Sequence, residues 1–304
     1  AVLDGAKALA IPTKYGQSLS VIANNSNKIN WKSYNELGEV WFEDVFSIEN
    51  APTALGVTSA LKNDISERLI EILKAVLSLN PKFLTSNLGY NITTHQDFNR
   101  LWGLGTSSTL INNMANWANV DAYKLLWNAF SGSGYDIACA QHNLPILYQL
   151  EMMSEPIDFA QDKRSRRQHP SVKQVDFNPN FKDELFFVHL NKKQNSRDGI
   201  TQYRKNKENI QQEITAISNL SNEFVKATSA LDLEKIIEEH ENIISSIVKL
   251  NPVKKELFSD YFGAVKSLGA WGGDFVLVTG NEDTPNYFKQ KGFETILPYS
   301  EMVL

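Results

Sequence analysis

Between Ser59 and Leu79 the apolar residues fall at Leu61, Ile65, Leu69, Ile72, Leu73, Val76 and Leu77, the three-and-four spacing of one helix face. The same spacing predicts helices over Leu110–Trp117, Ala122–Phe130, Ile200–Leu220, Asn222–Ala230 and Leu233–Leu250. Short apolar or alternating runs predict strands at Ala6–Ile11, which Pro12 ends, at Leu19–Ala23 and within Lys28–Phe42. Further strands are predicted at Leu88–Thr93, Pro145–Leu150, Glu184–Leu190 and Phe275–Thr279. Three glycine-rich stretches punctuate this pattern, at 103–109, 131–136 and 269–273. No internal repeat or low-complexity tract interrupts it, and the mixed order of strands and helices predicts an α+β fold.

A chain of 304 residues accommodates about two domains, because single cores stop growing near ~250 residues. Its 42% hydrophobic content, with 16 Phe and 6 Trp, supplies a substantial core and excludes a disordered chain. The formal charge of -5 gives no global positive field for nucleic acid or an anionic membrane, so any anionic ligand must be gripped locally. Cys139 is the one cysteine, which rules out an intrachain disulfide and argues against a cysteine zinc site. A reducing, cytoplasmic setting is expected. Apolar runs stop far short of the ~20 residues of a membrane span. Residue 1 is Ala and no basic-then-apolar leader follows, so no signal peptide is expected and the chain is taken to begin inside a longer sequence.

The stretch Gly103-Leu104-Gly105-Thr106-Ser107-Ser108-Thr109 carries the first candidate chemistry. Two glycines let backbone approach a ligand, and hydroxyls follow at a helix start, where free N–H groups and the positive helix end suit phosphate. A hydroxyl there can also reach Mg²⁺. The same residues equally make an ordinary Ser/Thr-rich cap, and no lysine follows to make a Walker A loop. In Ser131-Gly132-Ser133-Gly134-Tyr135-Asp136, Asp136 stands beside small residues, as a base or an orienting group would, or as an Asx-turn residue bonding its own backbone. Lys192, Lys193 and Arg197 follow the strand ending at Leu190 and are candidate cations for a phosphorylated acceptor; a solvated basic loop is the alternative. The denser run Lys163-Arg164-Ser165-Arg166-Arg167 reads as linker surface. The five histidines show no metal-ligand spacing.

The three glycine clusters, taken in order, resemble the motifs of the GHMP kinases, the galactokinase, homoserine kinase, mevalonate kinase and phosphomevalonate kinase superfamily. Ala1 to Pro12 is similar to that superfamily's first motif, so the resemblance spans almost the whole chain. In the family a strand bearing a lysine and a Gly-Glu pair precedes this motif, and the resemblance implies such residues upstream of Ala1. Gly132-Ser133-Gly134-Tyr135-Asp136 and Gly272-Gly273-Asp274 look most like phosphomevalonate kinase.

The resemblance implies a ribosomal protein S5 domain 2-like ATP-binding domain over 1–165 and a ferredoxin-like C-terminal domain over 166–304. It implies ATP and Mg²⁺ as cofactors, with Gly103, Leu104, Gly105, Thr106, Ser107 and Ser108 on the nucleotide and Thr106 and Ser107 on the metal. Asp136 would be the catalytic residue, and Gly132, Ser133, Gly134, Lys192, Lys193, Arg197, Gly269, Gly272 and Gly273 would line the acceptor. The implied reaction is phosphoryl transfer to an isoprenoid-pathway intermediate, phosphomevalonate before mevalonate. A sugar or sugar-acid acceptor, or a non-catalytic nucleotide-binding relative, is the alternative. The partner is a small molecule, not nucleic acid or membrane, and a homodimer is admitted. Two departures stand out: Trp271 replaces a family glycine, and Lys124-Leu125-Leu126-Trp127 lacks the Mg²⁺-holding glutamate of mevalonate kinase and galactokinase.

Overall fold

The computed structural model describes residues 1–51, 54–59, 61, 63–84, 88–152, 168–193, 196–269 and 271–304. In chain order it begins with strands β1 (Ala8–Ala10), β2 (Gln17–Asn24), β3 (Lys28–Tyr34), β4 (Val40–Ala51) and β5 (Ala54–Ser59). Helix α1 (Asp64–Leu79) and strand β6 (Gly89–Gln96) precede helices α2 (Thr106–Ala118), α3 (Ala122–Ala129) and α4 (Tyr135–Ala140). Strands β7 (Ile146–Met152), β8 (Gln168–Gln174) and β9 (Leu185–His189) lead to helices α5 (Ser196–Asn206), α6 (Gln211–Lys226), α7 (Ala230–Val248) and α8 (Val253–Leu257). The chain closes through β10 (Val265–Ser267), β11 (Phe275–Thr279), α9 (Thr284–Gln290), β12 (Ile296–Pro298) and α10 (Tyr299–Met302). These elements fall into two compact units, one of Tyr15–Arg100 with Leu104–Gln141, the other of Ala1–Lys14, Leu101–Gly103 and His142–Leu304. The domain boundary expected at residue 165 lies outside the described residues.

The first of these units is a five-stranded sheet, β2-β6-β3-β4-β5, with α1 to α4 supplying the other side of its core. Strict alternation shapes β3, where Ile29, Trp31 and Ser33 point inward and Lys28, Asn30 and Lys32 face water. The buried Ser33 hydroxyl is satisfied by the Trp31 indole N–H at 3.0 Å and the Thr94 hydroxyl at 2.8 Å. Helix α1 starts where the Asn63 side chain accepts from the N–H groups of Ile65 and Ser66 at 3.0 and 2.9 Å. Its inward face, Leu69, Ile72, Leu73, Val76 and Leu77, is the one the spacing predicted. The buried Asp44 carboxylate accepts from Ser66 at 2.6 Å and from Ser59, joining β4, β5 and α1.

The second unit holds two sheets, β1-β7-β8 and β10-β11-β9-β12, both antiparallel. Every residue of β9 and β11 is buried, which is why both read as unbroken apolar runs. Phe258, Tyr261 and Phe288 pack with Phe186, Val188, Val276 and Val278 in one core. The continuous helix predicted over Ile200–Leu220 is two helices, α5 and α6, and Asn209 between them adopts a left-handed φ of 49°. An apolar period of 3.6 carries straight through such a break, so spacing alone does not reveal it. The predicted helix at Asn222–Ala230 is the continuation of α6, and a fresh N-cap at Ser229 starts α7.

On α7, His240 is held beside Lys266, whose ammonium lies 3.1 Å from the ring Nδ1, and Glu241 is 3% exposed. Burial, and then the Lys266 charge, push the His240 pKa down to about 4. The unfolded chain protonates this ring near 6.5 and the folded protein only near 4, so its contribution is present at neutral pH and lost as pH falls through that window. Comparing urea unfolding of the native protein and His240→Asn at pH 7.5 and pH 5 checks this. The native protein is expected to lose more stability, by ~2 kcal/mol; parallel losses would contradict it.

Candidate active site

The glycine-rich stretch at 103–109 does not stop at a loop. Helix α2 begins at Thr106 rather than at the predicted Leu110, so all four hydroxyl residues belong to its first turn. Gly105 precedes it at φ 73°, a left-handed conformation that favours glycine, and no side chain caps the helix. Ser108 N and Thr109 N bond back to the Gly105 carbonyl at 2.9 and 3.0 Å. Among the described residues the Thr106 and Ser107 hydroxyls make no hydrogen bond, while Thr109 turns inward to Gln17 Oε1 at 3.0 Å. Asn113 donates to the Gln17 carbonyl at 2.8 Å, so two successive turns of the helix are tied to the first residue of β2. The start of α2 thus combines N–H groups without a side-chain cap, the positive end of a helix dipole and the hydroxyls of half-buried Thr106 and exposed Ser107.

Asp136 comes to this same place. It lies in the first turn of α4, after Gly134 turns the chain at φ 81°, and so is a helix residue rather than part of the predicted turn. A Cβ on Gly105 would stand 3.9 Å from the Asp136 Cβ, and the Ser108 hydroxyl hydrogen-bonds its carboxylate. The Trp127 indole N–H holds the Gly132 carbonyl at 3.2 Å, and the Ser133 hydroxyl accepts from Tyr135 N at 3.3 Å. Together these bonds fix the approach to α4. Asp136 is exposed by area, yet protein crowds it closely enough that desolvation raises its pKa, against the lowering effect of Ser108. Desolvation, followed by the Asp136 charge, lifts the neighbouring Cys139 thiol to about 12.

The remaining expected residues lie in the other unit. Lys192 and Lys193 follow β9 and are exposed, and the Arg197 side chain lies outside the described residues, as does the Lys163 to Arg167 run. Gly269, Gly272 and Gly273 belong to the connection between β10 and β11, where Gly269 and Gly272 take φ values of 60° and 92°. Trp271 and Asp274 adopt left-handed φ values of 64° and 54° in the same turn.

Asp274, the last residue of the Gly272-Gly273-Asp274 motif, has surroundings that the motif does not reveal. Its N–H donates to the Lys192 carbonyl at 2.7 Å, its carbonyl accepts from Leu190 N at 2.8 Å, and its carboxylate faces Gly103. A Cβ on Gly103 would be 2.2 Å from the Asp274 Cγ. The first glycine of the loop is therefore required by Asp274, and the second, Gly105, by the turn into α2.

Compared with solved structures, the chain matches a Lin0012 protein from Listeria innocua over 96% of its own length and 90% of that chain, at 14% identity and a TM-score of 0.65. It matches Streptococcus pneumoniae phosphomevalonate kinase in complex with phosphomevalonate and AMPPNP over 95% of this chain and 98% of that one, at 15% identity and a TM-score of 0.60. Methanococcus jannaschii mevalonate kinase matches over 95% and 89%, at 13% identity and a TM-score of 0.60. The chain has the two-domain α+β fold of the GHMP kinases. A heptose 1-phosphate kinase and a galactokinase share this GHMP kinase fold, so it spans sugar and non-sugar acceptors alike. No protein-family model and no curated protein matches the sequence. Among the described residues no helix is long and apolar enough to cross a membrane.

Gly103→Ala is expected to lower the melting temperature, since left-handed backbone alone costs a non-glycine residue ~1–2 kcal/mol and the new methyl meets the Asp274 carboxylate. Adding Asp274→Gly should recover part of the loss. Equal losses in the single and double variants would show that the contact does not set the requirement for glycine.

Proposed function

We propose that the protein is an ATP-dependent small-molecule kinase. The observation that carries this reading is the meeting of Asp136 with an α2 start that no side chain caps, next to Gly105 and bonded by Ser108. Phosphoryl transfer asks a protein for positioning and charge neutralisation more than for covalent chemistry. The first-turn N–H groups of α2 would bind the phosphate oxygens, with Gly103, Leu104 and Gly105 giving the backbone its close approach.

Thr106 and Ser107 would offer hydroxyl oxygens to Mg²⁺, which suit a hard cation. Among the described residues no group of three or more His, Cys, Asp or Glu could hold a metal ion, and α3 carries no glutamate. When bound, Mg²⁺ supplies neutralisation of phosphate charge.

The preferred acceptor is a mevalonate-pathway intermediate, phosphomevalonate before mevalonate, with a sugar or sugar acid as the alternative. A phosphorylated acceptor brings negative charge, for which Lys192, Lys193 and Arg197 are the proposed partners, while Gly132, Ser133 and Gly134 leave room beside Asp136. An alcohol needs a base, and Asp136 would take its proton. A phosphate is mostly ionised at neutral pH, its second pKa being about 6, and Asp136 would then orient it.

ADP release with Mg²⁺, offered phosphomevalonate, mevalonate and a panel of sugars in parallel, tests the reading. With an alcohol acceptor, Asp136→Asn is expected to lower kcat by ~10²-fold or more. The native acid limb of kcat/KM should lie above the ordinary carboxylate range, in keeping with the raised pKa of Asp136, and vanish in the variant. Nucleotide should raise the melting temperature of both proteins. No turnover and no nucleotide stabilisation would end the kinase reading; full turnover by Asp136→Asn would end the role given to Asp136.

A further inference from the structure

Leu101, Trp102 and Gly103, the residues that lead into the glycine-rich stretch, each meet a residue at one end of the β9–β11 pair. The Leu101 carbonyl accepts from His189 Nε2 at 3.1 Å, the Trp102 ring stands edge-on to Phe275 at 5.5 Å, and a Cβ on Gly103 would run into the Asp274 carboxylate. The pair itself is well fixed. His189 and Phe275 are register partners with rings 5.1 Å apart, and the Asp274 N–H and carbonyl bond Lys192 and Leu190. His189 is 6% exposed and closes a strand whose every residue is buried. A carbonyl accepts, so the proton sits on Nε2 and the ring is a donor aimed at one atom.

Leu101–Gly103 folds with the second unit, and the chain passes into the first at Leu104. The glycine-rich stretch therefore takes its starting course from β9 and β11 and carries it into α2. Left-handed turns at Gly103 and Gly105 flank Leu104, and glycine has the most conformational freedom to lose on ordering. A site made of such backbone binds more tightly when the free protein already holds it in the bound form, because binding then need not order it. A buried histidine on a backbone carbonyl ordinarily does no more than satisfy a polar pair. Here the carbonyl stands two residues before the first glycine of the loop, in the segment whose course the loop inherits.

Resting on the kinase reading, we propose that His189 is a positioning residue for the nucleotide: by holding the Leu101 carbonyl it fixes 101–103, and with them the entry of the chain into the uncapped start of α2. Phe275 and Asp274 complete the hold, one contact for each of the three residues.

The test uses the full chain. His189→Phe keeps a ring against Phe275 and loses the donor, His189→Gln returns an N–H at similar reach, and Phe288→Leu lowers stability in the core of the same unit without touching 101–103. Backbone hydrogen exchange over 101–105 is read alongside the affinity for AMPPNP with Mg²⁺, a measurement that needs no acceptor. In His189→Phe, exchange is expected to speed up ~3–10-fold, the scale of one lost hydrogen bond, and AMPPNP affinity to fall by a similar factor. His189→Gln should stay within about twofold of the native protein on both readouts, and Phe288→Leu should leave both unchanged. Unchanged exchange over 101–105 in folded His189→Phe overturns the hold. Faster exchange with native AMPPNP affinity, or an equal loss of affinity in Phe288→Leu, overturns its role in nucleotide binding. Should His189→Phe not fold, Trp102→Leu loosens the same three residues through the Phe275 contact and is judged by the same outcomes. A native chain that binds no AMPPNP fails on the kinase reading instead, and exchange in the variants still decides whether the hold exists.

Discussion

The left-handed backbone at Gly105 delivers the chain into α2 with its first N–H groups clear of any side-chain cap, and the candidate site is built around that fact. An ordinary Ser or Asp at the N-cap would bond those donors itself and add about 1 kcal/mol of helix stability. Here that contribution is absent, and stability comes instead from packing and from bonds further along, at Thr109, Asn112 and Asn113. The donors are left for an anion, which is what a helix start in this state favours. Asp136 adds the opposite charge at the same spot, and Ser108 ties it to the helix. Desolvation makes the Asp136 carboxylate unfavourable in the empty protein and raises its pKa, and its charge makes sense where a cation and a phosphate share the space.

Glycine serves three different needs in this chain, and the distinction decides which substitutions matter. Gly103 makes room for the Asp274 carboxylate, Gly105 and Gly134 turn the backbone into α2 and α4, and Gly272 takes φ 92° with no atom near its missing side chain. A sequence motif shows all of these alike. Trp271, a departure from the family pattern, is buried with its indole N–H on the Glu241 carboxylate.

Much of the fold was legible because burial on one face leaves a period in the sequence. The inward face of α1, the alternation in β3 and the unbroken apolar runs of β9 and β11 all declared themselves this way. The start of α2 did not, since Thr106 to Thr109 carry no apolar period and hydroxyls serve equally in loops and in first turns. The break at Asn209 hid inside a continuing period, and β8 lay next to a basic stretch that read as linker. At the site, residue types pointed to the glycine stretch and to Asp136, and the fold brings these together. The partners of Asp274 and Glu241 were invisible because they depend on contacts between residues far apart in sequence.

On the kinase reading, the first turn of α2 would hold the phosphates of a nucleotide. Backbone hydrogen exchange of the full chain with and without Mg²⁺ and AMPPNP tests it most directly, since a bound phosphate must protect the N–H groups it engages. Slower exchange concentrated in residues 104–109 is expected, with less protection in a Gly105→Ala variant. Nucleotide binding that leaves 104–109 unprotected, or protects only residues elsewhere, would contradict it.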